Sequence, residues 1–142
     1  MKVSDVMTRD VQTIGPDQSV RDAASSMLSA DAGSIVVTDG DRLIGMITDR
    51  DIAVRGVAKG YGPDTIVREL MTDDIVAARV DDDVEEVAAR MSKAQVRRLP
   101  VIDADEKLCG IVSLGDLSRQ GDGQSAAQAL EGVSKPGGEH QQ

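Results

Sequence analysis

Aromatic side chains are nearly missing from this chain. Its 142 residues include no Trp and no Phe, and Tyr61 is the single Tyr. Recognition by stacking bases on aromatic platforms is thereby excluded, and any flat ring bound here must lie between aliphatic side chains and backbone. Basic residues are the minority charge, 16 against 25 acidic ones, for a net charge of −9. That balance argues against the basic face with which proteins hold DNA or RNA. A single cysteine, Cys109, permits no intrachain disulfide. The single histidine, His140, has no metal-ligand partner in view. No Ser/His/Asp or Cys/His constellation can be assembled, and no Walker loop is present, so the expectation is a protein that is not an enzyme and holds no metal. No apolar run approaches the roughly 18 residues that span a membrane. Met1–Asp5 lacks the apolar core of a signal peptide. A soluble, cytoplasmic protein with no nucleic-acid and no membrane partner is expected.

What the chain does have is an internal repeat. "VSDVMTRDV", from Val3, matches "VRELMTDDI", from Val67. "SVRDAASSML", from Ser19, matches "DVEEVAARMS", from Asp83. "SIVVTDGDRLIGMITDRDI", from Ser34, matches "RLPVIDADEKLCGIVSLGDL", from Arg98, with one extra residue in the second turn. Two copies of about 55 residues result, and a unit that small buries too little apolar surface to be stable alone. The expected domains are residues 1–60, residues 61–120 and a mostly disordered tail, 121–142, rich in Gly, Gln, Ser and Glu. Within that tail, Ser125–Leu130 could form one or two helical turns.

Each copy predicts the same elements. A helical turn around Met7 or Met71 leads to a strand, Val11–Ile14 or Ile75–Ala78. An amphipathic helix follows, with Val20, Ala23, Ala24, Met27 and Leu28, or Val84, Val87, Ala88 and Met91, at helical spacing. Ser19 and Asp22 resemble a capping box. Two strands then flank a turn at Asp39-Gly40, or at Asp103–Glu106. A second helix starts near Thr48 or Ser113. The fold class is therefore α/β (α+β), with the unit β-α-β-β-α present twice.

That order, the "VMT" and "LMT" openings, "RRLPVID" and the endings "GMITDRD" (Gly45–Asp51) and "GIVSLGD" (Gly110–Asp116) resemble the CBS-domain family, named for cystathionine β-synthase. The likeness covers residues 1–120. "TDRDI" followed by "RGVAKGYGPDT" is most similar to small stand-alone bacterial pairs, some described as hypoxic or stress-response proteins. The resemblance implies a pair of repeats related by a pseudo-two-fold axis, with clefts that bind adenosine-containing ligands such as AMP, ADP, ATP, NAD or S-adenosylmethionine. It also implies a homodimer associating through helices, and an unidentified protein effector for a regulatory output. No cofactor is required on this reading; bound AMP, ATP or NAD is the expectation. The alternative is a structural or stress-associated dimeric interaction protein whose clefts bind no nucleotide.

The candidate ligand-binding residues are Thr48, Asp51, Ser113, Asp116, Arg97, Arg98, Gly45 and Gly110. A strand glycine lets a ligand or another backbone come close. A hydroxyl at a helix start sits among free N–H groups that favour phosphate. A carboxylate has two acceptor oxygens for the two ribose hydroxyls, and in the family the matching hydroxyl and aspartate commonly hold phosphate and ribose. The competing reading is a plain helix cap, since Thr-x-x-Asp and Ser-x-x-Asp are cap sequences. Arg97 and Arg98 lie where the family often places a cation for the phosphate; the competing reading is a solvated strand end. The first repeat has Gly33-Ser34 there, so the two clefts are expected to be unequal. If the strand begins as early as Arg97, alternation predicts that Arg97 and Arg98 do not serve the same group. Asp81-Asp82-Asp83 aligns with a helix start and reads as a cap, Cys109 reads as a small core residue, and the pairs Met7/Met71 and Met27/Met91 read as core.

Overall fold

A computed structural model of the chain describes residues 1–120 and 123–134. The chain divides into two compact units, one of Gln12–Ile75 and one of Met1–Val11 together with Val76 onward. They are called here the first and second units.

The first unit contains β1 (Thr13–Ile14), α1 (Val20–Ala30), β2 (Ser34–Asp39) and β3 (Arg42–Thr48). A wide π-helical stretch, Asp51–Gly56, then tightens into a 3-10 turn at Val57–Lys59, and the short α2 (Val67–Leu70) follows. Its three strands lie in the order β1-β2-β3, with β1 parallel and β3 antiparallel to β2. The second unit opens with a 3-10 turn, Val3–Asp5, and carries β4 (Ala78–Arg79), α3 (Val84–Ala94), β5 (Arg98–Ile102), β6 (Leu108–Ser113), α4 (Leu114–Gln120) and α5 (Gly123–Val133). Its sheet repeats the same order and directions as β4-β5-β6.

Local chemistry sets the element ends. Ser19 caps α1 by accepting the Asp22 N–H at 3.1 Å. α1 and α3 each stop on a left-handed residue, Asp31 (φ 51°) and Gln95 (φ 58°). The first hairpin turns on Gly40 (φ 66°), and the second, one residue longer, on Glu106 (φ 64°). Each hairpin slips register once, because Ile44 and Cys109 are the extra residues of a β-bulge. The buried faces of the helices are Val20, Ala23 and Met27 on α1, and Val84, Val87, Ala88 and Met91 on α3.

The two openings change places. Val3, Val6 and Met7 lie in one core cluster with Val84, Met91, Leu99 and Val112 of the second repeat. Val67 and Leu70 lie in the other, with Val20, Met27, Ile35 and Ile47 of the first repeat. The hydrogen bonding is matched in both. Thr8 N–H donates to Ile111 O (2.8 Å) and Ile111 N–H to Thr8 O (2.9 Å), while Met46 and Thr72 exchange the same pair at 2.9 and 2.8 Å. At the helix starts, Val3 N–H donates to Asp82 O and Val84 N–H to Met1 O, as Val67 N–H does to Gln18 O and Val20 N–H to Thr65 O. The short helical turns end before Met7 and Met71, at Asp5 and Leu70.

The composition of the C-terminal stretch predicts disorder, and there the structure differs. Gly123–Val133 is an eleven-residue helix, longer than the one or two turns expected at Ser125–Leu130. Ala129 and Val133 are buried, and Ala126 packs on the core beside Ala129. Small apolar residues at helical spacing give this helix a narrow buried stripe that its Gly- and Gln-rich composition conceals. Gly132 lies directly on Ser92 of α3, with no room for a β-carbon, and Gln95 Nε2 donates to Gly132 O at 3.0 Å. The rest of the expected tail, with His140, lies outside the described residues. Among the described residues no helix is long and apolar enough to cross a membrane.

Candidate functional site

The second helix of each repeat begins with a reciprocal cap. Asp51 N–H donates to Thr48 Oγ1 and Thr48 N–H to Asp51 Oδ2, both at 3.0 Å. Asp116 N–H donates to Ser113 Oγ (3.1 Å) and Ser113 N–H to Asp116 Oδ2 (2.9 Å). These are complete capping boxes, so the cap reading describes what the four residues do in this structure. Each carboxylate spends one oxygen on its own helix. The other oxygen faces an arginine one turn along: Asp51 Oδ1 lies 3.6 Å from Arg55 Nη1, and Arg119 Nη2 donates to Asp116 Oδ1 at 3.1 Å. Asp51 and Asp116 are 1% and 2% exposed. A ribose hydroxyl at Oδ1 would compete with that guanidinium, which is itself mostly exposed at Arg119 and partly exposed at Arg55.

Gly45 and Gly110 have a different neighbour from the one expected of ligand-binding residues. A β-carbon on Gly110 would stand 2.7 Å from Thr8 O and 2.8 Å from Met7 Sδ; on Gly45 it would stand 2.7 Å from Thr72 O. The space beside each glycine is filled by the exchanged opening of the other repeat. Of the two readings, close approach of a ligand or of another backbone, the second accounts for both glycines here.

Arg97 and Arg98 do come together with Ser113. The three residues line one hollow of about 660 Å³, along with Leu114, Gly115 and residues of α5. Neither guanidinium has a hydrogen bond or ion pair among the described residues. The condition for alternation is not met, because β5 begins at Arg98: Arg97 lies before the strand, where its carbonyl accepts the Leu114 N–H at 2.8 Å. Arg97 is exposed and Arg98 half-buried.

Sequence reasoning missed Thr8. Its hydroxyl approaches Asp116 Oδ1 at 3.5 Å, on the same oxygen that Arg119 holds. The signal was the repeated Met-Thr of the two openings, visible but unassigned. The first unit differs where it matters for an anion. Its Gly33 has the Asp49 carboxylate beside it, 3.0 Å from where a β-carbon would stand, and Asp49 N–H donates to Gly33 O. A negative charge there replaces the two cations of the second repeat.

The other residues singled out have structural duties. Asp83 occupies the N-cap position of α3 without a side-chain cap bond and pairs with Lys2 at 3.3 Å. Asp82 instead accepts from the Arg79 N–H and from Arg90 Nη1, each at 2.9 Å. Burial alone would push the Asp82 carboxyl up; those two donors outweigh it and hold it below its ordinary value. Cys109, the bulge residue, is half-buried, and burial together with nearby Asp103 pushes its thiol up, away from the reactive thiolate. Among the described residues no three of His, Cys, Asp and Glu come together as a metal site.

The CBS domain model matches residues 3–56 and 67–122. The CBS domain-containing protein YhcV of Bacillus subtilis is 41% identical over 133 residues, covering 93% of this chain and 94% of its own. Hypoxic response protein 1 of Mycobacterium tuberculosis is 34% identical over 134 residues, 93% of each chain. A solved structure of Hypoxic Response Protein I with two coordinated zinc ions superimposes with a TM-score of 0.77 at 36% identity, over 84% of this chain and 98% of that one. The structure of CBSX2 in complex with AMP superimposes with a TM-score of 0.74 at 28% identity, over 92% of this chain and 98% of that one.

Proposed function

This chain belongs to the CBS-domain family, and on that premise we propose that it is a non-catalytic regulatory module that binds an adenosine-containing ligand of the AMP, ADP, ATP or NAD type at the second unit. The observation that carries the reading is the pair of guanidiniums of Arg97 and Arg98, which have no partner among the described residues and share a hollow with Ser113. An otherwise acidic chain sets two adjacent cations beside a hydroxyl, an arrangement suited to a phosphate or diphosphate. Asp116 takes the ribose hydroxyls once Arg119 swings off Oδ1, and Thr8 flanks that oxygen. The first unit has Gly33-Ser34 in place of Arg97-Arg98, with Asp49 close by, which favours one dominant nucleotide site per chain. Binding acts by population shift, favouring one arrangement of the module over another. The output passes to a protein effector or through a homodimer built on the helices, in the cytoplasm. The AMP complex of CBSX2 supports this choice of ligand class.

One observation favours a second reading, a stress-associated dimeric interaction protein that binds no nucleotide: both candidate ribose carboxylates are buried and already engaged in capping boxes. Thermal shift with AMP, ADP, ATP, NAD and S-adenosylmethionine separates the two. A true ligand at a hundred times its Kd adds about 2.7 kcal/mol of stability; no shift with any of the five at millimolar concentration leaves the second reading standing.

A further inference from the structure

The hollow that Arg97, Arg98 and Ser113 share has a second side of opposite character. Leu114, Gly115 and Ser118 of α4 and Ala126, Ala127 and Leu130 of α5 line it, and none of these carries a charge. Its volume, about 660 Å³, lies in the range of small-molecule sites. A hollow that is cationic on one side and aliphatic on the other suits a ligand built the same way, with an anion at one end and an uncharged flat body at the other. The chain has no Phe or Trp, and its Tyr61 belongs to the first unit, so a base bound here must lie against aliphatic side chains. Leu130 is the large apolar residue that α5 leaves outside the core. It is 50% exposed, while Ala129 and Val133 are buried. Ala126, Ala127 and Leu130 are three and four residues apart, so they share one side of the helix.

This wall is an addition to the CBS domain. α5 begins at Gly123, past residue 122, where the matched residues end. Its seat on α3 has no slack. Gly132 lies on Ser92 with no room for a β-carbon, Gln95 Nε2 donates to Gly132 O, and Ala129 and Val133 enter the core. Leu130 is two residues from Gly132, so a shift that lifts Gly132 off Ser92 also carries Leu130 away from the hollow. We propose that α5, through Leu130 and Ala127, is the wall against which the base of the bound nucleotide lies, so that occupancy of the hollow and the seating of α5 on α3 reinforce each other. What the ligand gains from a seated α5, α5 gains from the ligand, because binding linkage is reciprocal. The helix is thus the element of the second unit that responds to nucleotide. This rests on the nucleotide reading above and adds to it the residue that meets the base.

Calorimetry with AMP on the full chain tests it, with Leu130→Ser, Leu130→Met and Gln128→Ala alongside. Leu130→Ser should weaken AMP binding by roughly three- to tenfold, the loss of one aliphatic contact. Its circular dichroism should match the wild type, since the side chain is half exposed. Leu130→Met, which keeps an apolar side chain of similar volume, should bind as the wild type does. Gln128→Ala, exposed on α5 and outside the hollow, should also leave binding unchanged. In the wild type, AMP should slow hydrogen exchange in residues 126–134 more than in α1. A wild type that binds none of AMP, ADP, ATP and NAD overturns the nucleotide reading and this wall together. A wild type that binds AMP, with Leu130→Ser binding it equally well, overturns the wall alone. So does an affinity loss matched in Gln128→Ala, which would come from the helix as a whole. Exchange in 126–134 that AMP leaves unchanged overturns the coupling.

Discussion

The carbonyl oxygen of Thr8 lies 2.7 Å from the point where a β-carbon on Gly110 would stand. Thr8 opens the first repeat and Gly110 sits in the last strand of the second, so this contact holds the exchanged opening against the sheet. Backbone cannot step aside as a flexible side chain can. Gly110→Ala should therefore cost about 1–3 kcal/mol through overpacking, and Gly45→Ala, against Thr72 O, a similar amount. Urea unfolding measures both. If either alanine variant matches the wild-type midpoint, the glycines are not there for close approach.

The capping boxes predict that aspartate variants report on two things at once. Asp116→Ala removes both the cap and the proposed ribose acceptor and should lose about 1 kcal/mol of stability. Ser113→Ala removes the other half of the same box with a comparable loss. Calorimetry with AMP on Asp51→Ala, Asp116→Ala and the double variant should then find the affinity loss in Asp116→Ala, with little further change from Asp51→Ala. A double variant that binds AMP as the wild type does would rule out the ribose role.

Arg97 and Arg98 share one hollow, so both alanine variants should weaken AMP binding. Arg98, half-buried at the start of β5, should matter more: a charge-assisted hydrogen bond of about 1.5–3 kcal/mol corresponds to roughly ten- to a hundredfold in Kd. Arg97, more exposed, should cost less. Adenosine, which lacks the phosphate, should bind both variants as it binds the wild type. Equal losses for AMP and adenosine would mean that the arginines hold the fold or the base.

Asp82 makes stability depend on acid. Its folded pKa lies below the ordinary carboxylate value, so its contribution is full above about pH 5 and disappears as the pH falls through the folded pKa, below about pH 4. Asp82→Asn should cost about 1 kcal/mol at pH 7, discounted because Arg90 is about one-third exposed. The difference in Tm between variant and wild type should shrink toward pH 3. A constant difference from pH 7 to pH 3 would assign the loss to shape instead of charge.

The seat of α5 on α3 gives a last test. Gly132→Val cannot be accommodated over Ser92 without lifting the helix, which would uncover Ala88, Ala129 and Val133. Circular dichroism should show lost helicity, and the unfolding midpoint should fall. An unchanged midpoint would mean that α5 contributes little to the second core.

Much of this was legible in the residues alone. The repeat, the β-α-β-β-α order, the apolar stripes of α1 and α3 and the turns at Gly40 and Glu106 are local patterns, fixed by side-chain period and turn chemistry, and a linear sequence carries those directly. The resemblance to CBS domains followed from the same short motifs. Pairing across the chain was another matter. Nothing in "VMT" or "LMT" says which sheet it joins; that depends on which edge strand has a glycine with open space beside it, a property of two segments about a hundred residues apart for Thr8 and Gly110. The same holds for the use of Asp116. Its carboxylate is at once a cap, an ion-pair partner and a ribose candidate, and only the positions of Arg119 and Thr8 show which oxygen is already engaged. Composition likewise hid α5, because Ala129, Gly132 and Val133 form a contact surface only when α3 offers a small residue, Ser92, to receive it. The sequence by itself determined the elements and their order, since those depend on neighbours a few residues apart. The tertiary structure decided which opening completes which sheet, which helical face is covered and which cations share a hollow, since those depend on close packing between residues that the chain keeps far apart.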